Sequence, residues 1–246
     1  MDRAATIVTG AAGGIGCAIA TRLARAGHHL VLLDQQPAGL PLGADGVSLA
    51  CDIADPASVT AAFQQIALQV RYIQGLVNVA GRNLTASIEE MQLADWHSML
   101  DVNVGGMLAI AEAAQPLMNG AVDPVIVNMA SVAGYMASAD HPAYVATKAG
   151  VEGLSRGLSD LLGPKGIRIH TVAPGWVDTG FTHGATAPLS AAEAEALLVR
   201  AADQHLLRRM AQPDEIADVV LWLLSPKARH LHGTTLFVDG GLMRVH

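Results

Sequence analysis

Several things are scarce in this chain of 246 residues, and each scarcity excludes something. Two cysteines, Cys17 and Cys51, are too few for a disulfide framework, so a reducing compartment, the cytoplasm, is expected. No uninterrupted apolar run is long enough to cross a bilayer, although 51% of the residues are hydrophobic, because Ala, Leu and Val are spread along the whole length. No membrane partner is expected. Met1-Asp2-Arg3 leads straight into an apolar run, without the charged-then-apolar pattern of a secretory signal. Basic residues are outnumbered, 15 to 22, and the net charge of −7 argues against nucleic acid as a partner, since phosphate binding needs a basic face. The ten histidines include no His-x-x-x-His with a nearby Glu, and no cysteine cluster accompanies them, so no metal site is expected. Charged residues (15%) and aromatics (4%) are both few, which suits a protein that hides surface in an oligomer.

Present instead is a regular alternation of apolar β-branched runs with helical patterns. Strands are predicted at Ala5–Thr9, at His29–Leu33 closing on Asp34, and at Val47–Ala50 with Asp52 just beyond. Others follow at Leu76–Val79, Val125–Met129, Ile167–Val172 and Thr235–Val238. Ile15, Ile19 and Leu23 recur at helical spacing until Gly27. Asp55-Pro56 opens a second helix, with Asp as N-cap and Pro in the first turn. Further helices are predicted over Leu93–Met118, Ala143–Leu162 and Pro213–Leu224. Continuous apolar strands separated by helices imply a parallel sheet covered on both faces. That is an α/β, doubly wound, Rossmann-type fold in one domain over residues 1–246, with ligands outside the carboxyl ends of the strands. Residues 179–210 break the alternation with a Thr-Gly-Phe-Thr-His-Gly loop and a short Ala/Glu/Leu helix, and are read as a substrate lid.

Gly10, Gly14 and Gly16 lie between the first strand and the first helix. Glycine there permits a tight turn and close approach of a pyrophosphate, and the helix N-terminus offers free N–H groups. The bland alternative is a tight turn with no ligand. No Gly-Lys-Ser/Thr follows, which excludes a Walker loop. Asp34 ends the second strand, where a carboxylate accepts from ribose hydroxyls and repels a 2′-phosphate. Ala11, Ala12, Gln35 and Gln36 hold the places where a phosphate-binding cation would stand, so NAD is expected over NADP. Asp34 also reads as a plain strand-end cap. Tyr144 precedes Lys148 by one helical turn, so both face one side. An adjacent ammonium and a positive nicotinamide ring both favour phenolate and can bring the tyrosine toward working pH, where acid/base catalysis is most effective. Ser131 follows the fifth strand and is placed to polarise a substrate oxygen. Singly, Tyr144 reads equally as a half-buried helix tyrosine, Ser131 as a cap and Asn103 as a helix side chain bonding backbone.

Thr9-Gly10-Ala11-Ala12-Gly13-Gly14-Ile15-Gly16 together with Ser131 and Tyr144-Val145-Ala146-Thr147-Lys148 resembles the short-chain dehydrogenase/reductase family, from Thr6 to Gly241. The glycine spacing is the wider form of that family. The resemblance implies Asn103, Ser131, Tyr144 and Lys148 as the catalytic set. Asn103 would hold a water near Lys148, and Lys148 would bond the nicotinamide ribose. It implies cofactor contacts from Gly10, Ala12, Gly14, Ile15, Gly16 and Asp34, with Asp52 and Ile53 at the adenine. Asn78-Val79-Ala80-Gly81 is similar to the family's Asn-Asn-Ala-Gly, which mainly positions backbone, and contributes Asn78, Ala80 and Gly81. Pro174 and Gly175 match the turn beside the nicotinamide, with Val177 and Thr179 where its carboxamide would be gripped. A homotetramer is implied, through the helices around Leu93–Met118 and Ala143–Leu162 and the C-terminal strand.

The substrate pocket is expected from Arg82-Asn83-Leu84, from Gly134, Tyr135, Met136 and His141 after Ser131, and from Trp176, Phe181, Thr182 and His183 of the lid. Ser131, Tyr144, Met136, His141 and Trp176 are the residues expected on the substrate itself. The mixture suits a small polar secondary alcohol or ketone: a sugar, a polyol or a hydroxy acid. Two alternatives stay open. One is a 3-oxoacyl-(acyl-carrier-protein) reductase using NADP, against which stand Asp34 and the lack of Lys or Arg on Leu93–Met118. The other is a non-catalytic NAD-sensing protein on the same fold.

Overall fold

The computed structural model describes residues 4–37, 39–87, 89–136, 138, 141–184 and 190–244. Its frame is one sheet of seven parallel strands. These are β1 (Ala4–Thr9), β2 (His29–Asp34), β3 (Asp45–Ala50), β4 (Tyr72–Asn78), β5 (Val125–Met129), β6 (Arg168–Pro174) and β7 (Thr234–Val238). Their order across the sheet is β3-β2-β1-β4-β5-β6-β7. Direction of travel reverses between β1 and β4, and at such a switch point the loops leaving the strand ends diverge and open a crevice.

Successive side chains of a strand point to opposite faces, and here both faces are apolar. Ile7, Val31, Leu33, Leu76 and Ile126 join one core. It is completed by Phe63 and Ile66 of α2 (Pro56–Gln69), Ile110 and Ala114 of α4 (Met107–Met118), and Leu158 and Leu162 of α5 (Pro142–Leu162). The alternate residues Val8, Leu30, Leu32, Val77 and Val127 face the other way. They meet Ile19 and Leu23 of α1 (Gly14–Arg25) and Ile216, Val220 and Leu223 of α8 (Pro213–Leu224). Asp55 caps α2, its carboxylate accepting from Ala57 N at 3.0 Å. The remaining helices are α3 (Leu93–Leu100), α6 (Gly180–Gly184) and α7 (Ala191–Asp203). Among the described residues no helix is long and apolar enough to cross a membrane.

Two predicted elements come out differently. β4 begins at Tyr72, four residues ahead of the apolar run, because Gln74 and Gly75 interrupt the hydrophobic signal while Gly75 pairs with both Thr6 and Val125. The helix read as one piece over Leu93–Met118 contains a π-helical turn at Asp101–Gly106, between α3 and α4. Such a turn accommodates an extra residue without breaking the helix and is invisible to a 3.6-residue pattern. Gly106 lies within it, and a Cβ there would stand 2.7 Å from the Ile53 side chain, so the glycine lets the loop after β3 press onto the helix.

Candidate active site

The carboxyl ends of the strands open into a cavity of about 860 Å³. One end is floored by the glycine turn. Gly10 has φ +66, and a Cβ on it would lie 2.7 Å from the Ala80 backbone; a Cβ on Gly16 would collide with the Gly10 carbonyl. Only glycine lets the turn fold this tightly against both β4 and the start of α1. Gly13 is the N-cap of α1 and gives no side-chain hydrogen bond to it, so the first-turn N–H groups stay free of side-chain caps beside the cavity. A cradle of this kind fits a pyrophosphate.

Asp34 leaves β2 into the same cavity and is half-buried. Its carboxylate accepts from Ala12 N at 3.0 Å and Gln36 N at 3.1 Å, which fixes it against the glycine turn. Asp52 accepts from Ala54 N at 2.9 Å, and Cys51, Asp52 and Ile53 line the wall beyond β3. Of the described side chains that line the cavity, only Lys148, Arg82 and His141 are basic, and all three follow β4 in the chain.

At the other end, α5 presents Tyr144 and Lys148 on one face. Nζ of Lys148 is 5.6 Å from the centre of the Tyr144 ring and donates to the Met129 carbonyl, at the end of β5, at 2.9 Å. Lys148 is buried, and burial pushes its ammonium down to about 8. Tyr144 is half-buried and lines the cavity. Burial pushes the phenol up to about 12, and the neighbouring Ser131 hydroxyl draws it back only partly. The expectation of a phenol brought toward working pH by Lys148 is therefore corrected for the protein's own atoms. Lys148 is turned to a carbonyl, and desolvation of the phenol prevails. Ser131 also accepts from Ala133 N at 3.2 Å, which starts a short 3-10 turn at Val132–Tyr135 and fixes where the hydroxyl sits.

Most of the expected residues line this one cavity: Gly10, Ala12, Gly14, Ile15 and Gly16, Asp34, Asp52 and Ile53, Ala80 and Gly81, Ser131, Met136, His141, Tyr144 and Lys148, and Pro174, Gly175, Trp176, Val177 and Thr179. Asn78 and Asn103 do not. The Asn78 amide donates to Asn128 Oδ1 at 2.9 Å, and Asn128 donates to Ser155 Oγ on α5 at 2.9 Å. This buried chain ties β4, β5 and the tyrosine helix together. Asn103 is also fully buried. Its Oδ1 accepts from Arg82 N at 2.7 Å, and its Nδ2 donates to Arg82 O at 2.8 Å and to Thr147 Oγ1 at 3.0 Å. Both amide hydrogens are taken, and the side chain clamps the loop after β4 to α5. Among the pocket residues expected on sequence, Phe181, Arg82 and Asn83 line the cavity, whereas Leu84, Gly134, Tyr135, Thr182 and His183 lie outside it. The His183 ring pairs with Asp178 instead, at 2.7 Å. Gln204 and Leu242 line the cavity without having been expected; no motif marks either.

The comparisons with known proteins agree with this architecture. A family model described as Enoyl-(Acyl carrier protein) reductase matches residues 10–243. D-threitol dehydrogenase of Mycolicibacterium smegmatis is 37% identical over 98% of this chain and 93% of its own. The chain belongs to the short-chain dehydrogenase/reductase family. Members of this oxidoreductase family act on CH–OH groups with a nicotinamide nucleotide, NAD or NADP. Within the family, 3-oxoacyl-(acyl-carrier-protein) reductase FabG of Staphylococcus aureus is 31% identical over 96% of both chains. The solved structure of Thermoplasma acidophilum aldohexose dehydrogenase, in ligand-free form, superposes with a TM-score of 0.91 at 32% identity, over 99% of this chain and 95% of that one.

Proposed function

We propose that this short-chain dehydrogenase/reductase interconverts a small polar secondary alcohol and its ketone with NAD, and that Tyr144 is the acid/base. The observation that carries the reading is that Ser131, Tyr144 and Lys148 line one cavity with Asp34 and the glycine turn. When bound, the nicotinamide supplies or accepts the hydride. Ser131 holds the substrate oxygen, and Tyr144 receives the hydroxyl proton as the alcohol is oxidised or returns it as the ketone is reduced. Lys148 keeps two N–H groups beyond the one given to Met129 O, and these suit the ribose hydroxyls. Gly10, Ala12, Gly14, Ile15 and Gly16 would cradle the pyrophosphate. Asp34 would take the adenosine ribose, Asp52 and Ile53 the adenine, and Ala80 and Gly81 the passage between. Pro174, Gly175, Val177 and Thr179 would flank the nicotinamide. Asn78 and Asn103 support the site from behind.

The polyol and sugar class is favoured by the names of two relatives, D-threitol dehydrogenase and aldohexose dehydrogenase. Residues 179–210 are assigned as the lid; of these, 185–189 lie outside the described residues. A cytoplasmic homotetramer completes the proposal. The FabG relative favours a second reading, a carrier-protein reductase using NADP.

Titration of the purified protein with NADH and NADPH separates the two readings. A fixed carboxylate beside a 2′-phosphate disfavours it through like-charge repulsion, so NADH is expected to bind roughly tenfold tighter or more. Asp34→Ala is expected to close that gap. Tighter binding of NADPH by the wild type overturns the NAD assignment and promotes the second reading.

A further inference from the structure

Gln204 and His205, adjacent just past the end of α7, both grip Trp176. Nε2 of His205 accepts the Trp176 backbone N–H at 3.2 Å, so Nδ1 carries the ring proton and donates to Ala201 O at 2.8 Å. The ring is buried and packs on the turn: a Cβ on Gly175 would stand 2.6 Å from its Nε2. Gln204 holds the other end of the tryptophan, its Oε1 accepting from the indole Nε1–H at 2.9 Å. This bond fixes which way the amide faces. Turning it over would set its NH2 against the indole N–H, donor against donor. Among the described residues the NH2 of Gln204 gives no hydrogen bond, and Gln204 lines the cavity together with Tyr144, Trp176 and Phe181.

We propose that Gln204 is a specificity-determining residue of this site, its amide locked by Trp176 so that the NH2 donates to an uncharged oxygen of the substrate beyond the reacting carbon. The inference rests on the oxidoreductase reading above and deepens it: the preferred substrate carries a further hydroxyl, as polyols and sugars do. Donors held in one orientation reward an acceptor and give nothing to an alkyl chain. His205 and Trp176 act through Gln204 by fixing the geometry.

The test compares kcat/KM for D-threitol with that for butan-2-ol, using NAD, for the wild type, Gln204→Leu, Trp176→Phe and the double variant. Gln204→Leu removes the donors at an exposed position, so the protein is expected to fold. It should lose roughly tenfold on D-threitol, the size of one hydrogen bond, and change little on butan-2-ol. Trp176→Phe releases the amide and should lose less on D-threitol. The double variant should lose no more than Gln204→Leu alone, because the two residues act as a unit. Equal losses on both alcohols, no loss on either, or additive losses overturn the proposal. A wild type that prefers butan-2-ol overturns it as well, while leaving the oxidoreductase reading in place. Absence of turnover on every alcohol and both nucleotides overturns that reading and takes this one with it.

Discussion

Two titrations at residue scale oppose each other inside the site. Lys148 sits at about 8 in the folded chain, below its ordinary 10.5, because burial disfavours its charge. Between those values the unfolded chain holds a proton that the folded chain has released, so stability rises with pH across that window. Tyr144 sits at about 12, above its ordinary 10.0, again by burial. From pH 10 toward 12 the unfolded chain loses a proton that the folded chain keeps, and stability falls. Urea midpoints of the wild type, taken relative to those of Lys148→Met, are expected to climb between about pH 8 and 10 and then level off. Parallel profiles for the two proteins would contradict the burial of a titrating ammonium. In catalysis, a phenol held high favours the protonated form, so alcohol oxidation is expected to speed up with rising pH above neutrality and ketone reduction to slow down. Tyr144→Phe removes the proton-transfer group and should lower turnover by about 10²- to 10⁴-fold while NADH still binds. Loss of NADH binding in that variant would point to a structural role instead.

At the scale of elements, the central strands were readable because they carry apolar runs that both sheet faces bury. Residues such as Ile7 and Val8 satisfy opposite cores, and so do Val31 and Leu32. The motif residues were readable for a related reason: glycine turns and a Tyr–Lys pair one turn apart impose local geometry. What escaped sequence reading depends on contacts between distant segments. The π turn at Asp101–Gly106 has no periodic signature, and Gln204 acquires its place only through the indole of Trp176. A local signal for α7 was nevertheless present. Ser190 and Glu193 form a capping box, with Ser190 N donating to Glu193 Oε2 at 3.0 Å. Spacing reports the position of Lys148 but not the Met129 carbonyl that holds its ammonium, so the protein's own atoms leave the tyrosine above its ordinary value. The π turn also predicts an effect. Asn103→Ala severs three hydrogen bonds of a buried side chain and leaves Arg82 backbone groups without their partner, which is expected to cost about 1–3 kcal/mol in a denaturation titration. Activity should fall further than stability alone explains, since the loop that carries Gly81 is released. An Asn103→Ala variant with wild-type stability would contradict the clamp.

For the whole molecule, the two ends of the sheet divide the work. Binding and chemistry cluster at the carboxyl ends, and the amino end of β6 is held by Arg168. That buried guanidinium bonds Asp123 through two oxygens at 2.8 and 3.0 Å and donates to the Leu223 and Ala228 carbonyls. It thereby joins the strand to the end of α8, far along the chain. Arg168→Met leaves the Leu223 and Ala228 carbonyls without their donor and is expected to cost about 1–3 kcal/mol in stability, with NADH affinity of the remaining folded protein unchanged. Light scattering should give about four times the 25.5 kDa chain mass if the proposed tetramer forms, and the monomer mass would reject it. The central claim, an NAD-linked oxidoreductase of polar secondary alcohols, is tested most directly by initial rates of reduced nucleotide formation. The purified protein would be offered D-threitol and a panel of sugars, polyols and hydroxy acids with NAD and, in parallel, with NADP. Turnover of at least one polyol or sugar with NAD, and markedly less with NADP, is expected. Turnover with NADP alone, or none on the panel despite tight NADH binding, would contradict it.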